Sequence, residues 1–180
     1  MIMPQIQLAA SWCEVVSTVA LLIAGTWSMW KWNVSLRIRR AEVLEHILSR
    51  LRSNEISDFI YKVEYSEEWY TCEFHGSDFE PIADRALSFF CDICYLMKNK
   101  LVGHSESVFF AYELKRVLSN SQTIDYLYNL HHFARRANGK SSFYALEEYA
   151  KKNGFVDTAE FDDPDAYRKQ PQRFNKFLNW

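Results

Sequence analysis

The chain has 180 residues, a formal net charge of −2 at pH 7 and 48% hydrophobic residues, a composition typical of globular proteins. The slightly negative net charge argues against nucleic-acid binding as the main function. The four cysteines are compatible with a reducing compartment, because nothing in their placement demands disulfide pairing.

This average composition hides an apolar N-terminal segment. Between Leu8 and Trp30 the only ionisable side chain is Glu14. A helix of about 23 residues is about 35 Å long, enough to cover the roughly 30 Å hydrocarbon core of a bilayer. The stretch "MIMPQIQLAASWC" carries no basic residue, which argues against a cleaved signal peptide. We therefore expect one membrane-spanning helix, in an N-terminal unit of residues 1–33.

Charged and aromatic residues predict the orientation of this helix. Lys and Arg resist translocation, so the flank that carries them stays in the cytoplasm, while tryptophans gather at both membrane interfaces. We expect the lipid bilayer to be a partner, with the N-terminus outside a bacterial inner membrane and the remainder in the cytoplasm. The residues concerned are the basic Lys31, Arg37, Arg39 and Arg40, the inner-interface Trp27, Trp30 and Trp32, and the outer-interface Trp12.

The same helix carries features that favour self-association. Ala20, Ala24 and Ser28 recur every fourth residue, with Gly25 alongside, and small residues at this spacing let helices approach closely in lipid. Glu14 is costly in lipid unless it reaches water, takes up a proton or meets a partner. Two interpretations stay open: a homo-oligomer, or a Glu14 that reaches into the headgroup region of a lone helix.

Residues 34–156 show helical periodicity and no run that alternates as a strand does. They predict an all-α cytoplasmic domain of about five or six helices, the first continuous with the membrane helix. The others are expected at about Ser57–Tyr70, Pro81–Leu101, from Ser105, at Gln122–Ala137 and after Ser141.

The C-terminal tail, residues 157–180, combines prolines with basic and aromatic residues. Such a tail can lie on an anionic inner leaflet or bind a partner protein. Docking on its own domain is the favoured interpretation, because many aromatic side chains are poorly placed in water.

Cysteine and histidine spacing suggests a metal site. A C-x₂-H pair is followed by C-x₂-C, formally a structural zinc arrangement, at Cys72, His75, Cys91 and Cys94. However, Cys91 and Cys94 lie one turn apart in the strongest amphipathic helix, where cysteine acts as a small apolar residue. Core packing is therefore favoured over zinc or a redox pair.

A second group of residues is positively charged, and consists of His131, His132, Arg135, Arg136 and Lys140. It suits a phosphate, a nucleotide or an acidic partner protein. The stretch from Glu55 to Glu80 is rich in carboxylates, so the favoured interpretation is a charge match within the chain.

No Gly-rich phosphate loop, G-x-S-x-G elbow, H-E-x-x-H motif or dinucleotide fingerprint occurs in the sequence. The sequence therefore favours a protein without enzymatic activity and without a cofactor.

Three segments carry a family resemblance: the basic exit "SLRIRRAEVLEHILSRLRS", the helix "ALSFFCDICYLMKNKLVG" and the late "YLYNLHHFARRANGKSSFYALEEYAKK". Together they resemble the bacterial membrane proteins grouped as domain of unknown function 4760, over roughly residues 10–153. Arg135 or Arg136, followed by Gly139-x-Ser-x-Phe/Tyr, is the matching late landmark. The resemblance implies a membrane-anchored helical domain and transfers no activity.

Two functions follow as expectations. In the first, the domain senses a ligand or partner and controls how the anchor helices associate, perturbing the membrane as phage-defence effectors do. In the second, the chain is a passive adaptor that holds a cytoplasmic protein partner at the membrane. A zinc-containing or enzymatic helical domain ranks third.

Overall fold

The computed structural model describes residues 3–65 and 68–165, and this part of the chain is helical, with no strand. The predicted all-α fold is confirmed. The helices are α1 (Met3–Leu51), α2 (Asn54–Tyr65), α3 (Glu80–Lys98), α4 (His104–Leu118), α5 (Ser121–Arg136), α6 (Tyr144–Lys152) and α7 (Thr158–Asp162). Residues 166–180 of the predicted basic and aromatic tail lie outside the described residues.

The first helix is much longer than any other. α1 runs without a break from Met3 to Leu51, so the apolar segment and the basic segment after it belong to one helix. The chain divides into two compact units, Met1–Glu45 and His46–Trp180. The division falls within α1, and α2 to α7 all belong to the second unit.

In the part of the chain that the structure describes, no helix combines the length and the apolar character that a membrane crossing requires. The predicted membrane-spanning helix is therefore not supported. Within α1, Glu14 precedes the uncharged apolar stretch and Lys31 follows it. The uncharged stretch from Val15 to Trp30 is about 16 residues, or about 24 Å of helix, shorter than a typical hydrocarbon core.

The second unit is organised around α3, which packs against α2, α4 and α6. Its buried face includes the predicted Ala86, Phe89, Phe90 and Ile93. Helical periodicity places these side chains on one side of α3, where they are removed from water. The largest fully buried side chains around them come from most elements of this unit, and include Phe59, Phe74, Phe110, Leu114, Leu127, Leu146 and Phe161.

Residues 68–79, between α2 and α3, have no helical hydrogen-bond pattern and depend on side chains of the α4–α5 junction. The Gln122 Oε1 atom accepts hydrogen bonds from the backbone N–H groups of Trp69 and Tyr70, at 2.6 and 2.7 Å. Asn120 Oδ1 accepts from Trp69 Nε1 at 3.2 Å, and Asn120 Nδ2 donates to the Val63 carbonyl at 2.8 Å. These bonds fix the start of α5 against α2 and the irregular segment.

The helix ends follow local chemistry. Asn120 caps α5, because its Oδ1 accepts from the Thr123 N–H at 3.0 Å. α5 ends where Asn138 takes a left-handed conformation, with φ of 54°, directly before Gly139. The short α7 was not predicted from the sequence, and Asp157 caps its first turn through the Ala159 and Glu160 N–H groups.

Candidate functional site

The structure gathers ionisable side chains where α5, α6 and α7 meet. This group, called the charged cluster below, consists of His131, His132 and Arg135 from α5, Glu147 and Lys151 from α6, and Asp162 from α7. The spacing of four residues between His131 and Arg135, and between Glu147 and Lys151, places each pair on one face of its helix. Three helices therefore present their charged faces to one another.

The centre of the charged cluster is His131, which has a carboxylate at each ring nitrogen. Its Nδ1 lies 2.8 Å from Glu147 Oε2, and its Nε2 lies 3.3 Å from Asp162 Oδ1. The same Asp162 oxygen accepts a hydrogen bond from Lys151 Nζ at 2.6 Å. Asp162 thus contacts side chains of two helices, His131 of α5 and Lys151 of α6.

The centre of the cluster is buried. The side chain of Glu147 is 5% exposed and that of His131 is 15% exposed. Glu147 Oε1 and His131 Nε2 are buried and have no hydrogen-bond partner within the described residues. A carboxylate is costly to remove from water unless it is paired, so Glu147 depends on its contact with His131.

The cluster also fastens α7 to the domain. His132 Nε2 donates to the Phe161 carbonyl at 2.9 Å, and Arg135 Nη1 donates to the Asp162 carbonyl at 3.1 Å. The Phe161 ring is buried, with its centroid 5.1 Å from that of the His131 ring and 4.9 Å from Lys151 Nζ. A helix of five residues is too short to be stable alone, so these contacts hold it in place.

Two pKa values in the cluster depart from their ordinary range. Burial lowers the pKa of His132, although its hydrogen bond to the Phe161 carbonyl opposes this effect. Burial acts to raise the pKa of Asp162, but the hydrogen bond from Lys151, reinforced by the charges of Lys151, His131 and Arg135, holds that pKa below its usual value. Asp162 is therefore an anion at neutral pH, and His132 is uncharged.

A histidine whose Nδ1 meets a carboxylate resembles a general base, for which Nε2 would face the substrate. Here, Asp162 Oδ1 lies 3.3 Å from Nε2, and Phe161 packs against the ring. Protein atoms therefore crowd the side of the ring that a general base turns towards its substrate. The contacts of this histidine hold α7 against α5 and α6.

The predicted charge match within the chain involves other acids than expected. His131 meets Glu147 and Asp162, and not the carboxylates between Glu55 and Glu80. Three of those carboxylates form ion pairs with residues outside the charged cluster. The pairs are Glu55 with Arg85, Glu64 with Arg116, and Glu80 with His75. Of the remaining predicted residues, Arg136 and Lys140 are exposed, and Lys140 Nζ lies 5.3 Å from the Tyr144 ring centroid.

The alternative zinc arrangement is not formed. Within residues 3–65 and 68–165, no group of three or more His, Cys, Asp or Glu side chains is placed to hold a metal ion. Cys72 is exposed and His75 Nδ1 lies 2.8 Å from Glu80 Oε1, whereas Cys91 and Cys94 are buried. Burial raises the pKa of both buried thiols, so they stay protonated and act as packing residues rather than as thiolate ligands.

The predicted anchor residues lie on α1 with their side chains exposed. Glu14, Ala20, Ala24 and Ser28 are exposed, and a Cβ atom added at Gly25 would meet no atom within 4 Å. The basic and aromatic residues of the predicted interfaces are exposed too, namely Trp12, Trp27, Trp30, Lys31, Trp32, Arg37, Arg39 and Arg40. Lys31 Nζ lies 5.9 Å from the Trp27 ring centroid, and the Trp27 and Trp30 centroids lie 5.2 Å apart.

A cavity of about 480 Å³ lies between the α4–α5 junction and the segment that leads into α7. Its wall includes Leu118, Ile124 and Phe161, with Asp157 and Glu160 nearby. Phe161 therefore lines this cavity and also contacts His131 and Lys151 of the charged cluster, so a displacement of α7 would alter both.

Comparison of the chain with protein-family models, with curated proteins and with solved structures finds no match.

Glu147→Ala should lower the free energy of unfolding by about 1–3 kcal/mol, because it leaves the buried Nδ1 of His131 without its hydrogen-bond partner. Chemical denaturation followed by circular dichroism measures this change. Glu148→Ala is the matched control, since Glu148 is the next residue on α6 and pairs with Lys98 on the surface. An equal loss in both variants would contradict a special role for the buried pair.

The lowered pKa of His132 predicts acid sensitivity. Because the folded pKa lies below the unfolded value, the unfolded chain takes up the proton first as the pH falls, and stability declines. His132→Gln keeps a donor for the Phe161 carbonyl but does not titrate. Between about pH 7 and about pH 5 the free energy of unfolding should fall more steeply for the wild type than for this variant. Parallel pH profiles would contradict the assignment.

Proposed function

We propose that this chain is a membrane-anchored sensor or effector, with the apolar stretch of α1 in lipid and the helical domain in the bacterial cytoplasm. The observation that supports this most is the exposure of apolar side chains around α1 over about four turns. Leu21 is 73% exposed, Leu22 65%, Ile23 63% and Met29 70%. Consecutive positions point to different sides of a helix, so this surface is apolar all round, a property of helices surrounded by lipid or by protein.

The short length of the uncharged stretch does not prevent lipid association. A stretch of about 24 Å is accommodated by local thinning of the bilayer and by side chains that extend from the flanks. Trp27, Trp30 and Trp32 suit the interface on one flank, and Lys31 can extend its charged end towards the headgroups. The arginines that follow favour the cytoplasm for the domain.

The continuity of α1 supports a sensor or effector over a passive adaptor. Ile47, near the C-terminal end of α1, is 6% exposed and belongs to the helical domain. The apolar stretch lies closer to the N-terminus of the same helix. Rotation or displacement of the helix by a ligand of the domain would therefore reach the anchor. The exposed small residues Ala20, Ala24 and Ser28 are where anchor helices would associate.

The anchor is tested by vesicle flotation of the full-length protein, with vesicles of phosphatidylcholine and phosphatidylglycerol. We expect the wild type to float with the vesicles and to resist extraction with alkaline carbonate. Leu22→Arg should release the protein, because arginine at the helix centre costs about 2.5–3.5 kcal/mol in lipid.

Tyr95→Arg is the control for flotation, since Tyr95 is exposed on α3 in the helical domain. It should float as the wild type does. A wild-type protein that stays monodisperse without detergent and does not float would overturn the proposed anchor.

The effector function is tested by the membrane potential of bacteria that express the chain. We expect the wild type to depolarise the cells, and Ala24→Leu to abolish this effect, because a larger side chain separates helices that approach at Ala24. Equal amounts of membrane-bound protein must be present in both strains. A wild type that is anchored and never depolarises the cells would favour the adaptor, which tethers a cytoplasmic partner.

A further inference from the structure

The outer face of α4 is unusually apolar for a surface helix. Val108 is 65% exposed, Phe109 59% and Tyr112 65%. Of the α4 residues whose side chains the structure describes as exposed, Lys115 alone is charged. A surface helix normally turns polar residues towards water, so this face is suited to contact with another surface.

Two tyrosines of α2 extend this face. Tyr61 and Tyr65 are 57% and 74% exposed, and their rings stack with centroids 6.0 Å apart. The Arg116 guanidinium lies 5.6 Å from the Tyr61 ring centroid and 5.6 Å from that of Tyr112. Arg116 thereby joins the exposed rings of α2 and α4 into one surface, the aromatic patch, which consists of Tyr61, Tyr65, Val108, Phe109, Tyr112 and Arg116.

The single cation of the aromatic patch, Arg116, is paired within the helical domain. Arg116 forms ion pairs with Glu64 of α2 and with Glu113 of α4, the latter at 2.8 Å. Its side chain is only 18% exposed, so its role is to hold the rings in place. A surface without a strong net charge does not need an oppositely charged partner, and two identical copies can meet there without repulsion.

The size of the patch fits contact between two copies. Aromatic side chains bury about 150–250 Å² each, so five large side chains that are about 60% exposed offer roughly 600 Å² or more. Stable interfaces bury about 800 Å² per partner, which the patch and its rim would supply together. Tyr, Phe and Arg are also the residues that are enriched at interface centres.

We propose that the aromatic patch is a two-fold interface between the helical domains of two copies of this chain. The same surface of each copy meets the other, with the outer faces of the two α4 helices in contact. This interface deepens the self-association in the proposed function, but it is formed by the domain and does not require the anchor helix.

Disulfide cross-linking of the purified full-length protein in nonionic detergent tests the interface. In a background with Cys13→Ser and Cys72→Ser, a single cysteine is introduced as Phe109→Cys or Tyr112→Cys, and copper phenanthroline is the oxidant. We expect about tenfold more disulfide-linked dimer than for Tyr95→Cys, because an interface raises the effective concentration of facing thiols. Tyr95 is the matched control, exposed on α3.

A second substitution distinguishes association through the anchor helix from association through the aromatic patch. Ala24→Leu, combined with Tyr112→Cys, should still cross-link, whereas Phe109→Glu combined with Tyr112→Cys should not, because a buried carboxylate opposes the contact. Circular dichroism shows whether each variant is folded. Cross-linking at residues 109 and 112 no greater than at 95 would overturn the proposal, and so would cross-linking that is lost in the Ala24→Leu variant.

Discussion

The side chain of Asn120 satisfies the polar groups at the point where α2, the irregular segment after it and α5 meet. Its oxygen accepts hydrogen bonds from Thr123 and Trp69, and its nitrogen donates to the Val63 carbonyl. Segments without regular hydrogen bonding must find partners for their backbone groups elsewhere, and Gln122 provides them for residues 69 and 70. The position of α5, and of every functional side chain on it, depends on this junction.

From this junction α5 carries its histidines and arginines to α6 and α7. Because Glu147 is buried and His131 is its hydrogen-bond partner, the contact between α5 and α6 is specific. Asp162 then brings α7 to the same place through Lys151 and Arg135. The charged cluster therefore holds α7, the last helix of the described residues, against α5 and α6.

Helical periodicity and turn-forming residues were sufficient to predict α3 to α6, because Gly103, Asn138 and Gly154 interrupt the pattern close to where these helices end. α7 was not predicted, because a helix of five residues is too short to show helical periodicity in its sequence. Sequence spacing identifies neighbours on one helix, so it placed His131 and Arg135 in one group of residues. It could not identify Glu147 and Asp162, which come from other helices. The capping potential of Asp157 and the i, i+4 spacing of Glu147 and Lys151 were the local signals available.

The positions of the tryptophans determine how the intrinsic fluorescence of the chain responds to its surroundings. Among those that the structure describes, Trp69 alone is buried, packed edge-on against Phe59 and Phe74 with its indole N–H bonded to Asn120. The others lie exposed along α1. Intrinsic emission from the tryptophans of the described residues therefore has two separable sources. The emission of Trp69 shifts to longer wavelength when the helical domain loses its packing. The emission of the tryptophans on α1 responds to aqueous or lipid-soluble quenchers.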